Sequence, residues 1–167
     1  MYLKSLVVIT AALFVSPVFA VSRLADAVAT LAKSDAAGTS CDMHALANFL
    51  ADDMKATVFI KDAKTGKNEV HMLRKSELLE LAGLCKKPGV KSILDRNLVK
   101  AEVIEGGRID INGTFSQTDI SLQDNKVVVG DGNFMTSLRC DAGGCQIITD
   151  ITWFKTLQEK VLSEPQK

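Results

Sequence analysis

Residues 97–154 restrict the fold of this chain most strongly, because four apolar runs follow one another there with a turn signal at each break. In the first run, Val99, Ala101 and Val103 alternate with charged side chains, and a pair of glycines ends the run. Alternation with a period of two is typical of a strand with one buried face. The sequence therefore predicts four consecutive strands in one long antiparallel meander.

The second run changes parity part-way along. Ile109 and Phe115 fall on one face of the predicted strand, whereas Ile120 falls on the other. One extra residue near Gln117 would explain the change, so the sequence predicts a β-bulge there. A bulge bends its strand, and a bent strand implies a curved sheet.

Residues 1–20 have the pattern of a signal peptide: a basic Lys4, an apolar segment over residues 6–15 and the small-residue cleavage site Val18-Phe19-Ala20. The alternative is a membrane anchor, but about ten apolar residues are too few to cross roughly 30 Å of hydrocarbon. We therefore expect an exported protein, periplasmic or extracellular, with no membrane span after cleavage. Residues 21–160 would form a single domain, followed by a flexible tail over residues 161–167.

The charge balance gives no sign of a nucleic-acid partner. The chain has 20 basic and 20 acidic side chains, and the two kinds are interleaved along it. A nucleic-acid-binding surface needs a basic excess that is concentrated on one face. We therefore expect no nucleic-acid binding.

Four cysteines in an exported chain of this size predict two disulfides. Cys140 and Cys145 flank a four-residue loop, which favours a bridge between them and leaves Cys41 to pair with Cys85. Three pairings are formally open, and this one is preferred. A zinc site would need further ligands beside these thiolates, so no metal is expected.

The N-terminal half is helical in pattern. We expect a first helix over residues 22–34, a linker over residues 35–40 with the capping signal Thr39-x-x-Asp42, and a second helix that ends near Asp52-Asp53. A hairpin over residues 56–60 and 69–73 follows, with its turn at residues 65–67, and then a third helix capped by Ser76. Helices followed by a run of strands predict an α+β domain, with the helices on one face of an antiparallel sheet.

Three stretches of the chain resemble the nuclear transport factor 2-like superfamily, and within it the SnoaL-like, polyketide-cyclase-like branch. They are residues 49–54 (FLADDM), residues 74–79 (RKSELL) and residues 103–108 (VIEGGR). The resemblance covers nearly all of the chain after residue 20. It implies a cone-shaped fold, in which a strongly curved antiparallel sheet wraps about three helices, with an apolar pocket inside and often a homodimer formed through the sheet.

Catalytic members of this superfamily use an aspartate or histidine as general base and a phenolic or carboxylic donor. The only tyrosine here, Tyr2, lies in the predicted signal peptide, so the phenolic donor is missing. The resemblance leaves four candidate catalytic residues, His71, Asp53, Asp119 and Asp150, none of them preferred. Each also has a structural explanation, such as a solvated carboxylate or a histidine satisfied within the core. No cofactor is expected.

Large apolar residues are the candidates for the ligand pocket, although core packing explains such residues equally well. They are Met54, Phe59, Phe115, Phe134 and Trp153.

Three functional hypotheses follow. The first is a non-catalytic module that binds a small apolar ligand in the cone. The second is an assembly or dimerisation module of the cell envelope. The third is an isomerase, cyclase or dehydratase that uses His71 or a buried aspartate as base, and the missing phenolic donor places it last.

Overall fold

The computed structural model describes residues 17–61 and 66–161, and these form three helices and six strands. In chain order they are helices α1 (Pro17–Thr39) and α2 (Met43–Phe49), strands β1 (Leu50–Lys61) and β2 (Asn68–Arg74), helix α3 (Lys75–Gly83), and strands β3 (Val90–Val103), β4 (Arg108–Ser121), β5 (Lys126–Asp141) and β6 (Gly144–Val161). The predicted α+β class and the order of helix, helix, hairpin, helix and four strands are confirmed.

The six strands form one sheet in the order β2-β1-β6-β5-β4-β3. Strands β3 to β6 are the predicted meander, and β1 and β2 are the predicted hairpin. The sheet is mixed, not antiparallel throughout, because β1 lies parallel to β6. Helix α2 passes directly into β1. Strand β1 lies beside the last strand of the meander and runs in the same direction.

The bulge predicted near Gln117 is wrong. Strand β4 pairs with β5 without a break along its whole length. The register shifts lie elsewhere: between Leu50 and Lys55 in β1, between Leu98 and Lys100 in β3, and at two places along the β5–β6 pair. Strand β4 therefore keeps its parity. Gln117 and Asp119 lie on the same face as the buried Phe115, whereas the predicted bulge would have turned Ile120 to that face.

Helix α1 replaces the linker predicted over residues 35–40. It continues to Thr39, and the Thr39 hydroxyl donates to the Asp35 carbonyl oxygen at 2.9 Å. Two alanines, Ala36 and Ala37, favour the helix, and Ala37 is buried. The helix begins at Pro17 instead of residue 22, and residues 1–16 of the predicted signal peptide lie outside the described part of the chain.

The ends of α2 also differ from the prediction. Asp42, not Thr39, is the N-cap, and its Oδ1 accepts a hydrogen bond from the backbone N–H of Ala45 at 3.0 Å. The helix ends at Phe49, so Asp52 and Asp53 lie in strand β1 and not at a helix terminus.

Helix α3 begins one residue before the predicted cap, Ser76. Arg74 is the N-cap, and its backbone N–H donates to the carboxylate of Glu77, a residue of the first helical turn, at 2.7 Å. Residue 65 of the predicted hairpin turn lies outside the described ranges, as do residues 162–167 of the predicted tail. Strand β6 extends to Val161, well beyond the predicted end at residue 154.

Helix α1 packs against the inner face of the sheet over β3 to β6, while α3 packs over β1 and β2. The buried residues of the helices and of alternate strand positions form one core, which includes Ala27, Leu31, Leu46, Leu50, Met54, Ile109, Ile111, Phe115, Phe134, Leu138 and Ile147.

Two disulfides join segments of this fold. Cys41 and Cys85 connect the α1–α2 turn to the short 3-10 turn that follows α3, and they are separated by 44 residues. Cys140 and Cys145 connect β5 to β6 across their hairpin, with a separation of 5 residues. Both bonds are consistent with an oxidising compartment, while export itself stays a prediction.

Candidate functional site

A cavity of about 470 Å³ lies between α1, α3 and the inner face of the sheet. Most of its wall is apolar, with Leu31, Leu46, Leu50, Met54, Leu78, Leu81, Ala82, Leu84, Val90, Leu94 and Ile147. The rest of the wall is polar and contains Ser34, Asp35, Thr39, Ser92, Arg96, Gln117, Asp119 and Asp150. The cavity therefore has apolar surfaces and a charged group of side chains within the same enclosure.

Arg96 on β3 is the centre of the polar wall, and it connects helix α1 to the sheet. Its Nε lies 3.2 Å from Oδ2 of Asp35 on α1, an ion-pair distance at which the N–H direction gives no hydrogen bond. Its two terminal nitrogens each lie 3.4 Å from an oxygen of Asp150 on β6. The guanidinium carbon also stands 4.4 Å from the ring centre of Phe134, a cation–π contact.

Asp150 has a further partner on the neighbouring strand β5. The hydroxyl of Thr136, which is fully buried, donates to Oδ1 of Asp150 at 2.5 Å. Arg96 Nη1 lies 3.3 Å from the same hydroxyl oxygen. Asp150 is therefore held by the Arg96 guanidinium of β3 and by the Thr136 hydroxyl of β5.

Among the described residues, Asp35 is the carboxyl group whose pKa is most strongly altered. Burial raises the pKa of Asp35 from 3.8 to about 6, the Arg96 guanidinium opposes the rise, and the nearby Asp150 carboxylate adds to it. Burial of the guanidinium acts against its charge, but Asp150 and Asp35 outweigh that effect and raise the pKa of Arg96 above its usual value. Arg96 therefore stays a cation, while Asp35 can gain or lose a proton near pH 6.

Asp119 on β4 belongs to a second polar group on the same wall. It accepts a hydrogen bond from the Ser92 hydroxyl at 2.6 Å and another from the Gln117 amide at 2.7 Å. Both donors are neutral. Among the described residues, no cationic side chain forms an ion pair with Asp119.

The predicted pocket residues divide between three environments. Met54 lies in the cavity wall. Phe134 lies beneath Arg96, and Phe115 packs edge-on against Phe154, so these two phenylalanines belong to the core beside the cavity. Phe59 and Trp153 stack on each other at a ring-centre distance of 5.8 Å, on the other face of the sheet.

Two of the four catalytic candidates line the cavity and two do not. Asp119 and Asp150 lie in the polar wall. The exposed side chain of His71 on β2 has Glu69 as its neighbour at 3.6 Å. Asp53 on β1 is also exposed, and Arg139 lies 3.5 Å from it. Neither His71 nor Asp53 lines this cavity.

Asp35 and Arg96 were missed by the sequence analysis, although the sequence contains a signal for each. Asp35 continues the helical stripe of Leu24, Val28 and Leu31, which places it on the inner face of α1. Arg96 follows Val90, Ser92 and Leu94 in strict alternation, but the strand was predicted to begin only after it. The helix was predicted to end too early, and the strand was predicted to begin too late.

The outer face of the sheet is the face that no described helix covers. Phe59 pairs with Val70 on one side and with Trp153 on the other, and Thr57 pairs with Met72, so these side chains share this face. Met72 is 79% exposed and Val70 is 52% exposed. The outer face therefore presents an apolar strip across β2, β1 and β6.

Solved structures with the same fold include three informative ones. A ketosteroid isomerase-like protein from Erwinia carotovora atroseptica has a TM-score of 0.60 and 17% identity, over 80% of this chain and 97% of that chain. A nuclear transport factor 2-like protein of unknown function from Shewanella oneidensis has a TM-score of 0.53 and 14% identity, over 77% and 97%. The hexachlorocyclohexane dehydrochlorinase LinA-type3 from Novosphingobium barchaimii has a TM-score of 0.58 and 11% identity, over 90% and 95%.

These similarities show that the chain has the nuclear transport factor 2-like fold, as the sequence resemblance predicted. No protein-family model matches the chain, and no curated protein matches it significantly. The finer assignment to the SnoaL-like branch stays a prediction. A search of the helices within residues 17–61 and 66–161 finds none with the length and apolar character that crossing a membrane requires.

Proposed function

We propose that this protein binds a small ligand, which has an apolar body and a polar head, in the cavity between α1, α3 and the sheet. The observation that supports this function is the cavity itself: about 470 Å³, with a mostly apolar wall and one polar side. Small-molecule sites in proteins are typically concave, mostly apolar, and roughly 300–1,000 Å³ in volume.

The apolar wall supplies affinity, and the polar wall supplies orientation. At roughly 25 cal/mol per Å², burial of about 250 Å² of apolar ligand surface contributes about 6 kcal/mol before the cost of immobilising the ligand. The polar wall is preorganised, because Arg96 is held by Asp35 and Asp150, and Asp119 by Ser92 and Gln117. A ligand head would meet side chains that are already in place.

Fluorescence of the neutral probe N-phenyl-1-naphthylamine tests this function. We expect saturable binding of one probe per chain to the wild-type protein. Gly38 lines the cavity, and no atom lies within 4 Å of the position that a Cβ would take, so Gly38→Leu adds an apolar side chain at the cavity wall with no clash at its Cβ. We expect this variant to lose probe binding.

Gly83→Leu is the matched control, because Gly83 is also helical, is equally open around its Cβ, and does not line the cavity. It should bind the probe as the wild type does. Equal binding by both variants would show that the probe sits elsewhere, and an absence of binding to the wild type would count against the proposed function.

Acid–base catalysis in the same cavity is a second candidate, and the raised pKa of Asp35 favours it. A carboxyl group that titrates near pH 6 is suited to accept a proton at neutral pH. Asp35 would take a proton from a carbon next to a carbonyl group, the electron pair would move to the carbonyl oxygen, and the proton would later return. Exchange of the α-hydrogens of 2-tetralone with D₂O, followed by NMR, tests this reaction, and exchange that Asp35→Asn leaves unchanged would exclude it.

Self-association through the outer face is a third candidate, supported by the exposed strip that includes Met72 and Trp153. Paired apolar faces of two copies would remove this strip from water. Light scattering should give a dimer for the wild type and a monomer for Met72→Glu. Leu122→Glu is the control, since Leu122 is 65% exposed but lies in the β4–β5 turn. A monomeric wild type would exclude this candidate.

A further inference from the structure

The polar wall of the cavity carries more negative than positive charge. Its ionisable side chains, among the residues that the structure describes, are the carboxyl groups of Asp35, Asp119 and Asp150 and the guanidinium of Arg96. With all four ionised, three negative charges face one positive charge. A ligand head that enters this wall is therefore exposed to a net negative field.

Arg96 does not balance Asp119. Its ion pairs are with Asp35 and Asp150, which share the single guanidinium between them. Asp119 has two neutral donors, Ser92 and Gln117. A carboxylate has about four acceptor positions, so the two that these donors leave unused are available to further donors.

We propose that the polar head of the ligand is a cation, a primary or secondary ammonium group, which binds at Asp119 and is attracted also by Asp35. This inference rests on the ligand-binding function proposed above and names the class of ligand. An ammonium group carries two or three donors and no acceptor, which fits the unused acceptor positions of the wall. A ligand with a carboxylate head would meet the excess of negative charge and is disfavoured.

The apolar surroundings strengthen this preference. Charges that are held away from bulk water interact through a lower effective dielectric constant and are screened less by salt. A neutral head, such as a hydroxyl group, could donate one hydrogen bond to Asp119, but it would gain nothing from the charge. Charge-assisted hydrogen bonds are about twice as strong as neutral ones, so we expect an amine to bind about tenfold or more tightly than a matched alcohol.

Affinity for the amine should also depend on pH through Asp35. The ionisable groups that share the cavity with Asp35 are Arg96 on β3, Asp119 on β4 and Asp150 on β6, and Arg96 stays charged throughout the range. Protonation of Asp35 below its pKa of about 6 reduces the negative excess from two charges to one. We therefore expect affinity for the amine to rise between pH 5 and pH 7.

Calorimetric titration of the wild-type protein with three probes of the same apolar body tests the inference: 2-naphthylmethylamine, 2-naphthylmethanol and 2-naphthoate. The expected order of affinity is amine, alcohol, carboxylate. In Asp119→Asn the advantage of the amine over the alcohol should fall by about tenfold. In Asp53→Asn, which removes an exposed carboxylate outside the cavity, the advantage should be kept.

The outcomes distinguish the ammonium inference from the proposed ligand-binding function. If the alcohol binds as tightly as the amine, or the carboxylate binds best, the ammonium inference is overturned while ligand binding stands. If none of the three probes binds, the ammonium inference fails, and ligand binding fails with it only where N-phenyl-1-naphthylamine is also not bound. Because the probe series is measured on the wild-type protein, the result does not depend on the folding of Asp119→Asn.

Discussion

Asp35→Asn should stabilise the protein at neutral pH and leave its stability almost unchanged in acid. Asp35 is the one described carboxyl group that burial holds far above its ordinary pKa, since it rises from 3.8 to about 6. Asparagine has nearly the same shape and is neutral at every pH. The substitution therefore resembles a permanently protonated Asp35.

The sign follows from the two pKa values of the same group. Below pH 3.8 the carboxyl group is neutral in both the folded and the unfolded chain, so its ionisation does not affect stability. As the pH rises towards about 6, the unfolded chain releases the proton and the folded protein retains it, so the free energy of unfolding falls. Above about 6 the loss is complete.

The size of the loss follows from the same difference. Each pH unit between the two pKa values corresponds to about 1.4 kcal/mol, which gives a total of about 3 kcal/mol for Asp35. The Arg96 ion pair is already included, because its attraction for the ionised carboxylate is one of the causes that set the pKa. Asp35→Asn should therefore gain about 3 kcal/mol over the wild type at pH 7.5 and almost nothing at pH 3.5.

Urea unfolding of the oxidised protein at several pH values, followed by the fluorescence of Trp153, measures this difference. Asp53→Asn is the control for the loss of one carboxylate outside the cavity. Parallel pH curves for Asp35→Asn and the wild type would refute the argument. A wild type that is the more stable of the two at pH 7.5 would show that the attraction of Arg96 exceeds the cost of burial.

Three further predictions concern neighbouring features. In Asp150→Asn the pKa of Asp35 should fall, because the Asp150 carboxylate contributes to its rise. NMR titration of the Asp35 carboxyl carbon measures this pKa, and an unchanged value would contradict the prediction. Replacing both Cys41 and Cys85 by alanine should cost about 4 kcal/mol in urea unfolding, against about 2 kcal/mol for the Cys140–Cys145 bond, because the first loop is longer; equal costs would contradict this. Gly132→Ala should lower the melting temperature sharply, since a Cβ there overlaps the backbone carbonyl of Trp153, and an unchanged melting temperature would show that β6 can move away.

The order of elements could be predicted from the sequence because each strand and helix has its own periodicity. The meander, the hairpin and the helix between them follow from alternation and turn residues, and these are local signals. The parallel pairing of β1 with β6 has no local signal, because it joins segments that are about ninety residues apart. For that reason the order of the strands in the sheet could not be predicted from the apolar pattern.

The ends of elements were the weakest predictions, and Asp35 and Arg96 were missed for that reason. Asp35 was assigned to a linker, and Arg96 to the segment before a strand. Both are charged residues at inner positions, where the rule that charged side chains are exposed argues against continuing the element. The rule failed here because the two side chains neutralise part of each other's charge across the cavity.

The change of parity in β4 is a second case in which polar residues at inner positions misled the prediction. An apolar pattern that moves from one face to the other was attributed to an inserted residue, but the strand is regular and its inner face changes from apolar to polar after Phe115. Inner polar positions are costly unless they have partners, and one hydrogen bond joins the Gln117 amide to the Asp119 carboxylate. They also lie at the cavity wall, where part of the strand has no side chain packed against it. In a chain of this fold, a strand that keeps its register while its inner side chains become polar therefore indicates where the interior is open to a ligand.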